Sequence, residues 1–200
     1  VKNRLIISAS PRRQGRCSQL VERLAVRFRM QDESAHVSTF FLPEHTIAPC
    51  DACDWCRDEP RCVIDDDMRA LYAVLDEADE VVVVAPVYFA GPPAQYKALL
   101  DRLQAYYHTY LANKAASVQK EKRTLRLFVI GDGLDPHGFE PLVVCTRSAF
   151  AIAGFCLEDV YSGVGLDRKD FDTFVACPEA YRWKNPSAYQ GERCKENHGG

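Results

Sequence analysis

The sequence predicts a three-layer α/β sandwich, a parallel sheet with helices on both faces. Three observations carry this. Short apolar runs alternate along the chain with segments of helical periodicity. The run Glu80–Ala85 (EVVVVA) is almost wholly apolar and β-branched, as in the middle of a parallel sheet covered on both sides. The connections are short, so strands joined through helices imply right-handed crossovers.

Each element follows from its residues. Arg4–Ser8 (RLIIS) is a short apolar run followed by turn residues and reads as a buried first strand. From Ser18 the residues Leu20, Val21, Leu24, Ala25 and Phe28 recur at helical spacing. His36–Leu42, with Val37 and two phenylalanines, reads as a second strand. Met68, Leu71, Tyr72 and Leu75 make a second amphipathic helix behind the acidic run Asp65-Asp66-Asp67, which complements the helix dipole. Glu80–Ala85 is the third strand. A third helix is predicted over 92–107, with proline tolerated at its start. Leu125–Ile130 reads as strand four, Glu140–Ala153 as helix four and Phe155–Tyr161 as strand five. Five strands in this order fit a flavodoxin-like sheet of spatial order 2-1-3-4-5. Ligands of such sheets bind beyond the carboxyl ends of the strands, at the switch point between strands 1 and 3.

Two hundred residues suit one core. Residues 1–176 are expected to form the flavodoxin-like domain, with a cysteine-rich loop over 43–65. Residues 177–200 are expected to be an irregular tail. A hydrophobic content of 47% requires no large disordered region. The net charge of −3 makes no case for nucleic acid or an anionic membrane. The longest apolar stretch, Val81–Val87, is far too short to span a bilayer. Nine cysteines behind an N-terminus that runs straight into a strand suggest a reducing cytoplasm.

Four of those cysteines carry the strongest chemical signal. Cys50, Cys53, Cys56 and Cys62 read C-x2-C-x2-C-x5-C. Thiolates are soft ligands, and this spacing on a tight loop selects an iron–sulfur cluster or zinc. Structural zinc sites more often use two separated cysteine pairs, whereas three cysteines in one unbroken run resemble a bacterial ferredoxin. The fourth cysteine lies two residues later than in the ferredoxin run, and no proline follows it. Iron–sulfur is favoured and zinc stays open. The remaining titratable residues are less informative. Cys145 and Cys156 fall in apolar surroundings and read as core. Cys177 is ambiguous and Cys194 reads as a plain thiol. His36, His45, His108, His137 and His198 show no metal-ligand spacing.

Three loops at the carboxyl edge suggest a second site. After strand 1 comes Ser8-Ala9-Ser10-Pro11-Arg12-Arg13-Gln14-Gly15-Arg16-Cys17-Ser18, and then a helix. Hydroxyls, an arginine and a helix N-terminus suit a monophosphate; neither G-K-[S/T] nor G-x-G-x-x-G is present. A serine-capped loop with basic surface residues is the simpler alternative. After strand 3 comes Pro86-Val87-Tyr88-Phe89-Ala90-Gly91-Pro92-Pro93, whose aromatics and exposed amides suit a flat ring such as isoalloxazine. They would equally roof the core. After strand 4, Gly131-Asp132-Gly133 supplies a third loop or an ordinary tight turn.

Taken together, S-A-S-P-R-R-Q-G-R-C-S, the cysteine loop followed by V-I-D-D-D-M, and A-P-V-Y-F-A-G-P-P-A-Q-Y-K-A-L-L-D-R resemble the iron–sulfur flavoprotein family. That family lies within the NAD(P)H-dependent FMN reductase group. The resemblance covers Arg4–Arg102 by motif and the rest by strand pattern. It implies FMN, with Ser10, Arg12, Cys17 and Ser18 at the phosphate, Pro86, Val87, Tyr88 and Phe89 at the isoalloxazine, and Gly131 at the third loop. It implies a [4Fe–4S] cluster on Cys50, Cys53, Cys56 and Cys62. It also implies a homodimer or homotetramer with each cluster near a neighbouring subunit's flavin. Lys97, Asp101 and Arg102 match its K-x-x-x-D-R helix, read as an ion pair that positions the flavin loop. The chain departs from the family at Cys17, where threonine or serine is common. It departs again in the long basic-polar segment 106–122, read as a flap or oligomer contact, and in lacking a terminal helix after Cys177.

The function expected is an FMN-dependent oxidoreductase. It relays electrons between NAD(P)H or ferredoxin, FMN, the cluster and a small-molecule acceptor. No residue stands out as a general acid or base. A cluster-less FMN or quinone reductase and a non-enzymatic flavodoxin-type carrier are the alternatives. Because the cysteine loop follows strand 2 and strands 1 and 3 flank the flavin, all these loops are expected at one edge of the sheet, with the cluster and the flavin close enough to exchange electrons within a subunit or across an oligomer interface.

Overall fold

The computed structural model describes residues 1–115 and 123–184. Parallel strands β1 (Asn3–Ser8), β2 (His36–Phe41), β3 (Glu80–Pro86), β4 (Arg123–Gly131) and β5 (Phe155–Val164) form one sheet in the order β2-β1-β3-β4-β5. This is the flavodoxin-like order that the sequence predicts. Alternation along the strands sends side chains to two cores. Leu5, Ile7, Val81, Val83, Leu125, Leu127 and Val129 pack on α2 (Met68–Glu77), α3 (Ala94–Arg102) and α5 (Glu140–Ile152). Ile6, Val82, Val84, Phe128 and Ile130 pack on α1 (Arg16–Gln31) and α6 (Arg168–Ala176). Every residue from Val81 to Ala85 is fully buried, which is why that run shows no polar alternation.

The structure differs from the sequence reading in four places. The helix expected over 92–107 is broken. It comprises α3, a 3-10 turn at Leu103–Tyr106 and a separate α4 (Tyr107–Ala115). The first part of the 106–122 segment is therefore helical, and residues 116–122 lie outside the described residues. Helix α6 had not been anticipated, although its signals were present. Asp167 caps it by accepting from the Asp170 amide at 2.8 Å, and Phe171, Phe174 and Val175 face the core. The tail is not irregular from 177. Pro178–Tyr181 makes a 3-10 turn, Arg182 bridges Tyr161, and the Trp183 amide donates to the Val160 carbonyl at 2.8 Å. This covers part of edge strand β5. The rest of the expected tail, with Cys194 and His198, lies outside the described residues. Cys145 is half-buried against the core as expected, Cys156 is half-buried rather than core, and Cys177 is exposed.

At the opposite edge of the sheet from the loops, Arg123 ties three segments together. Its guanidinium donates to Leu75 O (2.6 Å), Asp76 O (3.2 Å) and Ala78 O (3.1 Å) at the end of α2, and to Ala153 O (2.6 Å) at the end of α5. It also stacks 4.0 Å from the Phe155 ring centroid. One cation thus caps two helix C-termini.

Candidate cofactor sites

Strand register brings the three predicted loops to one edge. Ser8 pairs with Val84, Pro86 with Ile130, and Gly131 with Val164, so β1, β3 and β4 end side by side. Backbone bonds from Ala9 N to Val84 O, Val87 N to Ile130 O and Gly165 N to Gly131 O continue the ladder to where the loops depart.

The first loop is organised by its own hydroxyls. The Ser10 Oγ accepts from the Arg12 amide at 3.2 Å. The Ser18 Oγ donates to the Arg13 carbonyl at 3.0 Å and is buried, so it closes the loop from below. Cys17 is buried beside Ser10. Burial pushes its thiol up to about 12, despite opposing effects of the Ser10 hydrogen bond and the Arg12 charge. It is a neutral packing thiol at any ordinary pH. The first turn of α1 has no side-chain cap, and nothing lies within 4 Å of where a Gly15 Cβ would stand. Arg12 and Arg13 are exposed around this opening, whereas Arg16 is occupied with the Leu166 carbonyl at 2.8 Å. Uncapped amides, open space and nearby cations make a cradle that fits a phosphate.

The second loop is a tight hairpin. Tyr88 and Gly91 exchange two backbone hydrogen bonds of 3.0 Å around Phe89 and Ala90, whose φ angles are 50° and 60°. Both central residues being left-handed makes a turn of the I′ kind, normally filled by Asn-Gly or Gly-Gly. Neither residue here is glycine, so the turn is strained. The Leu142 amide of α5 anchors it by donating to the Ala90 carbonyl at 3.2 Å. The consequence is a Phe89 ring that is 98% exposed, flanked by a half-exposed Tyr88. In the third loop, Gly133 at φ 81° is needed because a Cβ there would stand 3.0 Å from the Gly165 Cα. Gly131 itself meets only ordinary contacts with Val87 and Val164.

The cysteine loop builds a second concavity. Ala52 and Asp54 adopt left-handed φ of 57° and 60°, and the Asp51 carboxylate accepts from the Cys53 amide at 3.2 Å. These local reversals curl the run so that Cys50, Cys53, Cys56 and Cys62 all line one pocket with Trp55, Arg102, Gln104 and Ala105. Burial pushes the Cys56 thiol up, and the neighbouring Cys50, Cys62 and Cys53 push the same way. No three Cys, His, Asp or Glu side chains among the described residues converge on a single metal ion. All four cysteines line the same pocket, and that placement together with the softness of their thiolates fits a group bound through several of them.

The neck of this loop is closed by one ion pair. Arg102 is 1% exposed and forks onto Asp66 at 2.6 and 3.1 Å. It also donates to the carbonyls of Ala48 (3.0 Å) and Ile64 (3.4 Å), two residues before Cys50 and two after Cys62. Asp66 reinforces both stalks by accepting from the Ala48 and Met68 amides. Burial works against the Arg102 charge, but Asp66 and Cys62 outweigh it and hold the guanidinium protonated. The expectation that Arg102 positions the flavin loop is therefore corrected: it holds the cysteine loop. Lys97 and Asp101 pair with each other at 2.6 Å on the exposed side of α3.

The two sites attach at opposite ends of one helix. The loop leaves β2 at the carboxyl edge but folds back toward the far end of α3. There the Cys56 thiol lies 3.9 Å from the Gln104 carbonyl. The Phe89 turn precedes the start of α3. Between these attachments α3 spans nine residues, about 14 Å along its axis.

Comparison with known proteins agrees with this architecture. The family model described as NADPH-dependent FMN reductase matches residues 3–131, more than half of the chain. The chain belongs to the NADPH-dependent FMN reductase family. Among curated relatives, the iron–sulfur flavoprotein of Methanosarcina thermophila is 42% identical over 96 residues, 48% of this chain and 49% of that protein. An iron–sulfur flavoprotein of Archaeoglobus fulgidus is 40% identical over 100 residues, 50% of this chain and 49% of that protein. The chain spans about half the length of the curated relatives it matches. Among solved structures, apo NADH:FMN oxidoreductase EMOB superposes with a TM-score of 0.55 at 14% identity, covering 94% of this chain and 93% of that one. The FMN-dependent NADH-azoreductase of Bacillus anthracis, in complex with FMN, gives 0.57 at 12% identity, covering 90% and 98%. At such identities the likeness shows the fold. Among the described residues no helix is long and apolar enough to cross a membrane.

Proposed function

We propose that this chain is an FMN-dependent oxidoreductase that also carries an iron–sulfur cluster. The observation that carries the reading is the coexistence of two arrangements suited to cofactors in one chain. One is the phosphate cradle and aromatic turn at the β1–β3 switch point; the other is the pocket walled by Cys50, Cys53, Cys56 and Cys62. Bound there, FMN supplies two-electron chemistry with a reduced nicotinamide, and a [4Fe–4S] cluster supplies one-electron transfer. The protein's own residues bind and orient. The α1 amides, Ser10 and Arg12 hold the phosphate, with Cys17 and Ser18 shaping the loop. The segment Pro86–Phe89 and Gly131 frame the ring. The four cysteines hold the cluster.

The reading includes a homodimer or homotetramer that brings each cluster near a neighbouring subunit's flavin, as the resemblance to iron–sulfur flavoproteins implies. Reduced nicotinamide or ferredoxin as donor and a small-molecule acceptor complete the reading. The test is anaerobic purification with iron, zinc and flavin analysis of wild type and Cys56→Ala. About four irons and one FMN per chain are expected for wild type. FMN without iron is expected for the variant. Stoichiometric zinc without iron would overturn the cluster and leave a flavin reductase with a structural metal.

A further inference from the structure

Arg102 has one donor left over. Its two terminal nitrogens are committed to Asp66, Ala48 and Ile64, but its Nε is buried with no hydrogen-bond partner. An unsatisfied buried N–H of a charged group is costly and calls for an explanation. This one belongs to a residue that lines the cysteine pocket alongside all four cysteines, close enough to Cys62 for the two charges to interact. Among the described residues lining that pocket, Arg102 is the sole cation, and Asp51 and Asp54 are the anions.

We infer that Arg102, besides clamping the neck, tunes the occupant of the pocket. It provides a fixed positive charge and a spare N–H donor for sulfur. A reduced cluster carries one more negative charge than an oxidised one. A buried cation beside it therefore favours the reduced form, and a hydrogen bond to sulfur acts in the same direction. Arg102 is a positioning residue for the loop and a potential-setting residue for the cluster. This rests on the cluster reading above and adds to it a residue that is not a ligand.

Asp66 makes the inference testable, because it shares the clamp but has the opposite charge. Arg102→Gln removes the cation, whereas Asp66→Asn removes the anion that partly neutralises it. Both weaken the same neck. A purely structural role would move the cluster potential the same way in both variants, or in neither. An electrostatic role moves it in opposite directions. The measurement is the cluster midpoint potential by redox titration followed with EPR, on anaerobic protein whose iron content is determined first. Arg102→Gln should lower the midpoint by at least about 59 mV, a tenfold change in a one-electron equilibrium, and Asp66→Asn should raise it. Shifts of the same sign, or none in iron-replete variants, would overturn the inference while leaving the cluster reading intact. If Arg102→Gln loads no iron, Asp66→Asn decides alone: a raised midpoint supports the inference and an unchanged or lowered one overturns it. Wild type without iron overturns the cluster reading itself, and this inference with it.

Discussion

Replacing Phe89 with glycine should stabilise the protein and weaken its hold on flavin. Phe89 sits at φ 50° in a turn whose neighbour Ala90 is also left-handed, and its ring is 98% exposed. A left-handed non-glycine residue costs roughly 1–2 kcal/mol. Glycine removes that strain but adds about 0.5–1 kcal/mol of entropy loss on folding. No packing is lost, because the ring packs on almost nothing. The net gain is about 0.5–1 kcal/mol, or a rise in Tm of about 1–4 °C for a chain of this size. The cost falls on binding. A ring face contributing about 50 Å² of apolar contact to isoalloxazine is worth about 1.3 kcal/mol at 25 cal/mol/Å², close to tenfold in Kd. Thermal unfolding of the flavin-free protein by circular dichroism gives the first quantity, and quenching of FMN fluorescence gives the second. A lower Tm would refute the strain argument. An unchanged Kd would show that the strained turn does not present Phe89 to the ring.

Arg12→Ala should cost about 1.5–3 kcal/mol of FMN binding through a lost charge-assisted contact, a ten- to hundredfold rise in Kd by fluorescence titration. Equal affinity of the wild type for riboflavin and FMN would mean that the phosphate lies elsewhere. Arg123→Met keeps the stem over Phe155 but leaves four carbonyls without their donor. Partial rehydration leaves a loss of about 2–4 kcal/mol and a Tm lower by roughly 5–15 °C; a drop under about 2 °C would mean that water replaces the guanidinium fully. Asp66 is buried, which acts to raise its pKa, but Arg102 and the amides of Ala48 and Met68 outweigh that and hold its carboxyl below the usual range. Its contribution is complete above about pH 4 and is lost as pH falls through the lower folded-state value. The stability gap between wild type and Asp66→Asn should therefore narrow in acid, and a constant gap from pH 7 to pH 3 would contradict this.

Much of the fold was legible because its signals are local. Val81–Ala85 could only be a buried central strand, and strand–helix alternation restricted the topology to few choices. The loops after β1 and β3 were legible for the same reason, since each lies directly between a strand and a helix. What stayed hidden depends on long-range contact. Arg102 reads from sequence as part of a helix ion pair beside the flavin loop, and only the packed structure shows it reaching 36 residues back to Asp66. The strain at Phe89 and Ala90 was invisible because it arises from the two backbone hydrogen bonds between Tyr88 and Gly91 that close the turn, which no residue pattern announces. The break at Leu103 was missed because apolar periodicity continues across it while the backbone tightens to a 3-10 turn.

Helix α3 is the physical link between the two sites, and its packing implies that they are separable. Tyr96, Leu99 and Leu100 bury its inner face, and the Tyr96 hydroxyl is paired with Thr146 at 3.1 Å. The flavin turn attaches at its first residues and the cysteine neck at its last. A rigid element fixed by its own core contacts does not need either occupant to hold its place. The phosphate cradle, in turn, takes its shape from Ser10, Ser18 and α1, none of which the cysteine loop supplies. Removing a cysteine ligand should thus empty one site without altering flavin affinity in the other.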